Sequence, residues 1–251
     1  DKSVYHHISL VAFLAWVGLG ADGLSSSCYG PSEAFHHLLV TDHVTHEVIV
    51  DHKPLAVFLA LATIFTVVII SLCYSRIIAA FPSGGGGYLV ASKCLGRGVG
   101  VVSGCALVVD YVLTVTVSIA AAGDALVGLL GPALGQWKVP LEMCVIVFLV
   151  LLNLRGVKES VTFLMPIFLV FLATHILVIG GALLMHSGST GEIATHISEH
   201  VQFCTQPGSS IGWMGMIGAL MYAYSLGAGT YTGIEAVSNS MPVMREPKVA
   251  T

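Results

Sequence analysis

Trp16-Val-Gly-Leu-Gly-Ala-Asp-Gly-Leu-Ser-Ser-Ser-Cys-Tyr-Gly-Pro31 interrupts a strongly apolar segment with glycines, hydroxyls and one acid, Asp22, before the chain has crossed a bilayer. An aspartate at the centre of a membrane helix costs about 2.5 to 3.5 kcal/mol on insertion scales, so it faces a cavity, a partner or a cation. Asp110 and Glu235 fall in comparable surroundings.

Working outward, the composition sets the class. With 55% hydrophobic and 10% charged residues, and a mean hydropathy of +0.88, the chain cannot cover itself with a water-soluble surface. Crossing the hydrocarbon core takes about 20 apolar residues per helix. Runs of that kind at 8–39, 54–80, 99–130, 140–154, 158–185 and 211–240 predict an all-α, polytopic membrane protein of about six spans. The polar start Asp1-Lys2-Ser3 and the length of the first run set it apart from a signal peptide. Cys28, Cys73, Cys94, Cys105, Cys144 and Cys204 show neither paired spacing nor a CxxC, which argues against a disulfide framework or a zinc ribbon. A net charge of −4 does not suggest a nucleic-acid partner.

Cytoplasmic loops are enriched in lysine and arginine. A cytoplasmic N-terminus puts Lys2, Arg76, Lys93, Arg97, Arg155, Lys158, Arg245 and Lys248 inside and leaves Lys53 and Lys138 outside. The connection from 186 to 210 has neither residue, as an external loop should. The abrupt start and the stop after the sixth run read as those of part of a longer protein, the N-terminal part of a transmembrane domain. Pro82-Ser-Gly-Gly-Gly-Gly-Tyr88 has no Gly-Lys-Ser/Thr to make it a phosphate loop and reads as a turn into a short interfacial helix.

Two interruptions carry the functional signal, Gly18 to Ser27 in span one and Gly227-Ala-Gly-Thr-Tyr-Thr-Gly233 in span six. Both are rich in residues that weaken a helix. Unwound backbone at membrane depth is tolerated only where protein buries it or it lines a watery cavity. Paired glycine-interrupted helices mark the substrate site of transporters built from inverted repeats. The offset of five spans suits a five-plus-five repeat. The competing reading is that the glycines are small-residue packing contacts between helices.

Span three adds an oxygen-lined wall. At 100° per residue, Asp110, Thr114 and Ser118 share one stripe with Tyr111 beside it. Asp124 lies near the same face at the outer end, where a solvated acid is equally expected. Glu235 follows Thr232 by three residues, so the two meet on one helical face. Carboxylates and hydroxyls without histidine or cysteine suit a hard cation, and no transition-metal site is expected. Three bare carboxylates around one monovalent ion are unfavourable, so one of them holds a proton.

These residues carry a resemblance. The chain resembles the first half of an amino acid, polyamine and organocation (APC) superfamily transporter, and more narrowly the KUP-type potassium/proton symporters of the KimA branch. The matching pieces are Gly18 to Pro31, Asp110-Tyr-Val-Leu-Thr114 with Ser118, and Thr232-Gly-Ile-Glu235. The resemblance implies a LeuT-like inverted-repeat fold with helices 1 and 6 unwound. It also implies a plasma-membrane potassium importer coupled to protons, without a cofactor. It assigns Asp22, Tyr29, Asp110, Tyr111, Thr114, Ser118, Thr232 and Glu235 as ligands or proton carriers. Further spans and a soluble C-terminal domain of such proteins lie outside this sequence, and homodimerisation would run through those parts.

The alternative is an amino acid or polyamine permease on the same fold, in which Asp110 would meet a substrate ammonium. Asp22 in the break argues against a carboxylate substrate. A hydrolase would have to use Ser27 and His175, which sit on separate spans without a supporting motif, so no enzyme is expected. His36, His37, His43, His46 and His52 read as solvated or interfacial, and His175 as a hydrogen-bonded residue within span five or part of a proton path.

Overall fold

The computed structural model describes residues 12–41, 48–206 and 212–250. Its principal helices are α1 (Ala12–His36), α2 (Ala56–Ala80), α3 (Gly86–Cys94), α4 (Arg97–Leu130), α5 (Lys138–Arg155), α6 (Val157–Met185), α7 (Thr190–Thr205), α8 (Gly212–Leu226) and the single turn α9 (Ala236–Asn239). A short antiparallel ribbon of β1 (Leu39–Thr41) and β2 (Val48–Asp51), irregular at Val40/Thr41, is the addition to an otherwise helical chain.

Among the described residues, four stretches are long and apolar enough to cross a membrane: Lys53–Ala80, Arg97–Leu130, Pro132–Arg155 and Glu159–Met185. At 1.5 Å per residue, the 34 residues of α4 reach about 50 Å, more than a hydrocarbon core of about 30 Å demands. The outer faces suit lipid rather than water. On α2 alone, Leu61, Ile64 and Phe65 are 59%, 60% and 67% exposed, a contiguous apolar surface of a kind that soluble monomers do not present. The first and sixth expected spans are not among the four, because polar residues lower the apolarity of the first and the interruption shortens the sixth. Helix α1 contains Asp22, Glu33 and the serines Ser25 to Ser27, and α8 stops after 15 residues.

One expectation is overturned. Helix 1 does not unwind: α1 is continuous from Ala12 to His36, through all of Gly18 to Ser27 and past Pro31. Hydroxyls hold the weak stretch together locally, Ser25 Oγ donating to the Asp22 carbonyl and Ser26 Oγ to the Gly23 carbonyl, both at 2.9 Å. The small residues of α1 also serve packing. A side chain at Gly18 would run into Val161, and one at Gly30 into Thr230. In span six the interruption is present: α8 gives way to a 3-10 turn, Gly227–Tyr231, and further turns precede α9.

The chain divides into two compact units, residues 1–26, 70–168 and 231–251 in the first, and 27–69 and 169–230 in the second. The first has two small apolar cores. Ala15, Met241 and Met244 form one, and Val17, Val161 and Phe168 form the other, with Trp16 edge-on to Phe168 at 5.1 Å. The second gathers Leu38, Leu59 and Ala223, and separately Leu55, Cys204 and Met216. There Thr66 Oγ1 bonds the Tyr224 hydroxyl at 2.7 Å. The connection expected to be a loop from 186 to 210 contains α7. The glycine run before Tyr88 leads, as expected, into a short helix, α3.

Candidate functional site

The first unit contains the oxygen-rich residues that the sequence singles out on spans one, three and six, Tyr29 excepted. Its centre is the end of the span-six interruption, where the chain passes from Thr232 through Gly233 to Glu235. Gly233 adopts φ +87°, a left-handed conformation that L side chains rarely adopt. It also lies against α1, since a Cβ there would fall 2.8 Å from the Gly23 nitrogen and 2.9 Å from the Asp22 carboxyl carbon and Oδ2. Ser26, fully buried, divides its single hydroxyl proton between the Gly23 carbonyl at 2.9 Å and the Thr232 carbonyl at 3.3 Å. The carbonyl of an irregular segment thereby finds a donor inside the protein, as backbone at membrane depth requires.

Glu235 is buried, at 9% exposure. Its Oε1 is fully enclosed and has no hydrogen-bond partner among the described residues. A buried acceptor of that kind costs on the order of 1 to 3 kcal/mol, more if charged, unless a proton or a cation serves it. Glu235 and Asp110 line a common pocket of about 300 Å³ with Tyr74, Tyr88, Ser103 and Asn239. Asp22, Asp110 and Glu235 lie close enough to interact electrostatically.

Helix α4 presents the predicted stripe. Thr114 is buried, and Asp110, Tyr111 and Ser118 are half-buried. Tyr111 is fixed by Asn239, whose Nδ2 donates to its hydroxyl at 2.7 Å. Helix α3 closes on the same place. A Cβ on Gly86 would meet the Asn239 Oδ1 and Ser238 Oγ, so the four-glycine run has a packing role against α9. Tyr29 belongs to the second unit, where its ring lies against Gly229. Asp124, exposed near the C-terminal end of α4, is ion-paired with Lys138.

Four polar pocket residues, Tyr74, Tyr88, Ser103 and Asn239, are absent from the sequence-based set. The signal for Asn239 was its spacing, four residues after Glu235 and on the same helical face. Tyr74 sits in a uniformly apolar helix, where one phenol stands out weakly. In the second unit, His175 is a hydrogen-bonded residue. Its Nδ1–H donates to the Phe171 carbonyl at 2.8 Å, its ring stacks on Phe171, and Cys28 Sγ lies 3.3 Å from Nε2. His36 and His37 are exposed and half-buried, and His43 and His46 lie outside the described residues. His52, expected to be solvated, is 1% exposed. The residues that cover it come from α7, far along the chain.

Apolar outer faces, long membrane-capable helices and a buried carboxylate pocket define a polytopic membrane protein with an internal polar site. Residues 44–250 match the family model described as amino acid permease, and the chain belongs to that family, within the APC superfamily. It is 32% identical over 230 residues, 91% of this chain, to the potassium transporter KimA of Bacillus subtilis (strain 168). The chain spans 35% of that relative's length.

Proposed function

We propose that this chain carries the cation-binding part of a secondary transporter of the cell membrane that imports potassium in symport with protons. The observation that carries the reading is Glu235, a buried carboxylate with one unserved oxygen, in a pocket shared with Asp110 and within electrostatic reach of Asp22. Potassium is a hard cation that takes oxygen ligands. The pocket and its surroundings offer carboxylates, phenols, hydroxyls and an amide, and no histidine or thiol lines it.

Proton coupling follows from charge. Three carboxylates that repel one another cannot all stay ionised beside a single monovalent ion, so one carries a proton when the ion is bound. Glu235 suits that role, because Oε1 is the oxygen that neither backbone nor side chain serves. Asp110, half-buried on α4 with Thr114 one turn away, suits that of cation ligand, with Asp22 and Thr232 completing the set. A LeuT-like plan, with the N-terminus cytoplasmic, accounts for the interruption in span six. The similarity to KimA supports potassium over an amino acid as substrate.

The test is rubidium uptake by the full-length protein in potassium-transport-deficient cells, at acidic and neutral external pH, with potassium or mixed amino acids as competitors. Uptake that acid promotes, potassium blocks and amino acids spare is expected, and Asp110→Asn should abolish it without loss of membrane insertion. Block by amino acids or polyamines would transfer Asp110 to an ammonium group and the protein to the permease reading. Unchanged uptake in a well-expressed Asp110→Asn variant would remove Asp110 from the site.

A further inference from the structure

In the second unit, away from the carboxylate pocket, three side chains of metal-ligating type converge. His52, just before the 3-10 turn Lys53–Leu55 that leads into α2, meets His200 and Cys204, which stand four residues apart on α7. His52 Nδ1 lies 3.0 Å from His200 Nε2, and Cys204 Sγ lies 3.8 Å from the first and 3.6 Å from the second. His52 and Cys204 are 1% and 0% exposed, and His200 is half-buried. Leu55 and Met216 wall the cluster on its apolar side.

From these distances we propose that His52, His200 and Cys204 form a binding site for a borderline-soft divalent cation, zinc above all. Around a tetrahedral zinc ion, with Zn–N of about 2.0 to 2.1 Å and Zn–S of about 2.3 Å, ligand atoms stand about 3.3 Å apart for N···N and about 3.6 Å for N···S. The observed separations straddle those values, so an ion would fit with adjustments of a few tenths of an ångström. Two imidazoles and a thiolate are a donor set for zinc and not for potassium or magnesium. The i, i+4 spacing of His200 and Cys204 places both on one face of α7.

Binding requires His52 to carry its ring proton on Nε2 and His200 on Nδ1, which leaves Nδ1 and Nε2 as the coordinating atoms. Cys204 loses its thiol proton to solvent as the S–Zn bond forms, so binding releases one proton and weakens in acid. Three protein ligands leave a fourth position for water. A metal here would tether α7 to the start of α2.

The experiment is a cobalt titration of the metal-stripped full-length protein in detergent, followed by zinc displacement. Wild type should show a thiolate-to-cobalt charge-transfer band that saturates at one ion per chain and is abolished by zinc. Cys204→Ser should lose the band. His200→Gln, at a half-exposed position that endangers folding less, should bind cobalt more weakly by at least about 10- to 100-fold, the range that even outer-sphere partners cost. Zinc should raise the melting temperature of wild type and not that of His200→Gln. Absence of the band from folded wild-type protein, its survival in Cys204→Ser, or unchanged cobalt affinity in His200→Gln would each overturn the proposal. Loss of the band in Cys28→Ser with retention in Cys204→Ser would do the same.

Discussion

Gly233 packs against the α1 backbone at Gly23, and exchanging each of the two glycines for alanine should give effects of opposite sign. At Gly233 the added methyl would lie 2.8 Å from the Gly23 nitrogen and 2.9 Å from both Cγ and Oδ2 of Asp22, while the backbone holds φ at +87°. The left-handed conformation costs an L residue about 1 to 2 kcal/mol. Forcing a methyl into close-packed surroundings adds about 1 to 3 kcal/mol. One of the opposing groups is helix backbone, which cannot swing aside, so the sum of about 2 to 5 kcal/mol is expected with little relief. At Gly23 an added Cβ meets nothing within 4 Å, and the residue lies inside α1. There alanine should gain about 0.5 to 1 kcal/mol of helix propensity. Thermal unfolding of the full-length protein in detergent reads both. Gly233→Ala should lower the midpoint, and Gly23→Ala should leave it unchanged or raise it. Rubidium uptake should fall in Gly233→Ala, because the carboxylate of Asp22 is displaced. A Gly233→Ala protein that melts with the wild type and transports normally would refute the close approach between α1 and the span-six interruption.

Glu235→Gln retains a buried oxygen but has no proton to exchange, so residual rubidium uptake should lose its stimulation by external acid; uptake measured at acidic and neutral pH decides, and intact stimulation would move the proton to another acid. Ser26→Ala removes the donor to the Thr232 carbonyl and should destabilise by about 1 to 3 kcal/mol, read as a lower melting midpoint. Asn239→Leu frees the Tyr111 hydroxyl; at about 0.5 to 1.5 kcal/mol for the bond, it should weaken rubidium affinity several-fold while maximal uptake is largely kept, and an unchanged affinity would make that bond irrelevant to the site.

The two acids of the pocket could be read from residue types because the membrane makes acids conspicuous. Asp22, Asp110 and Glu235 stand out against apolar neighbours, and the structure places all three in one unit, with Asp110 and Glu235 on the same pocket. The stripe from Asp110 to Ser118 was legible because helical periodicity fixes which residues share a face. Tyr74 and Asn239 were harder to see. A single phenol or amide near a helix end costs little, and only the pairing of Asn239 with Tyr111 gives it meaning. His52 was misread as solvated because its cover, His200 and Cys204, lies 148 and 152 residues away along the chain. No local rule links such distant positions.

The amino-acid sequence by itself determined that this protein lives in a membrane and which acids sit expensively among apolar neighbours. These follow from hydrocarbon thickness and the cost of burying charge, both of which act residue by residue. Tertiary structure decided how the two glycine-rich interruptions resolve. Both have weak helix propensity, yet α1 stays helical while span six breaks at Gly227 and turns at Gly233. The difference lies in what each segment meets. In α1, serine hydroxyls bond back to the carbonyls of Asp22 and Gly23, whereas the Thr232 carbonyl takes its donor from Ser26, more than two hundred residues earlier in the chain. Propensity is a local preference of about 1 kcal/mol per glycine, and a long-range contact such as that of Ser26 with the Thr232 carbonyl, which exists only after folding, can outweigh it.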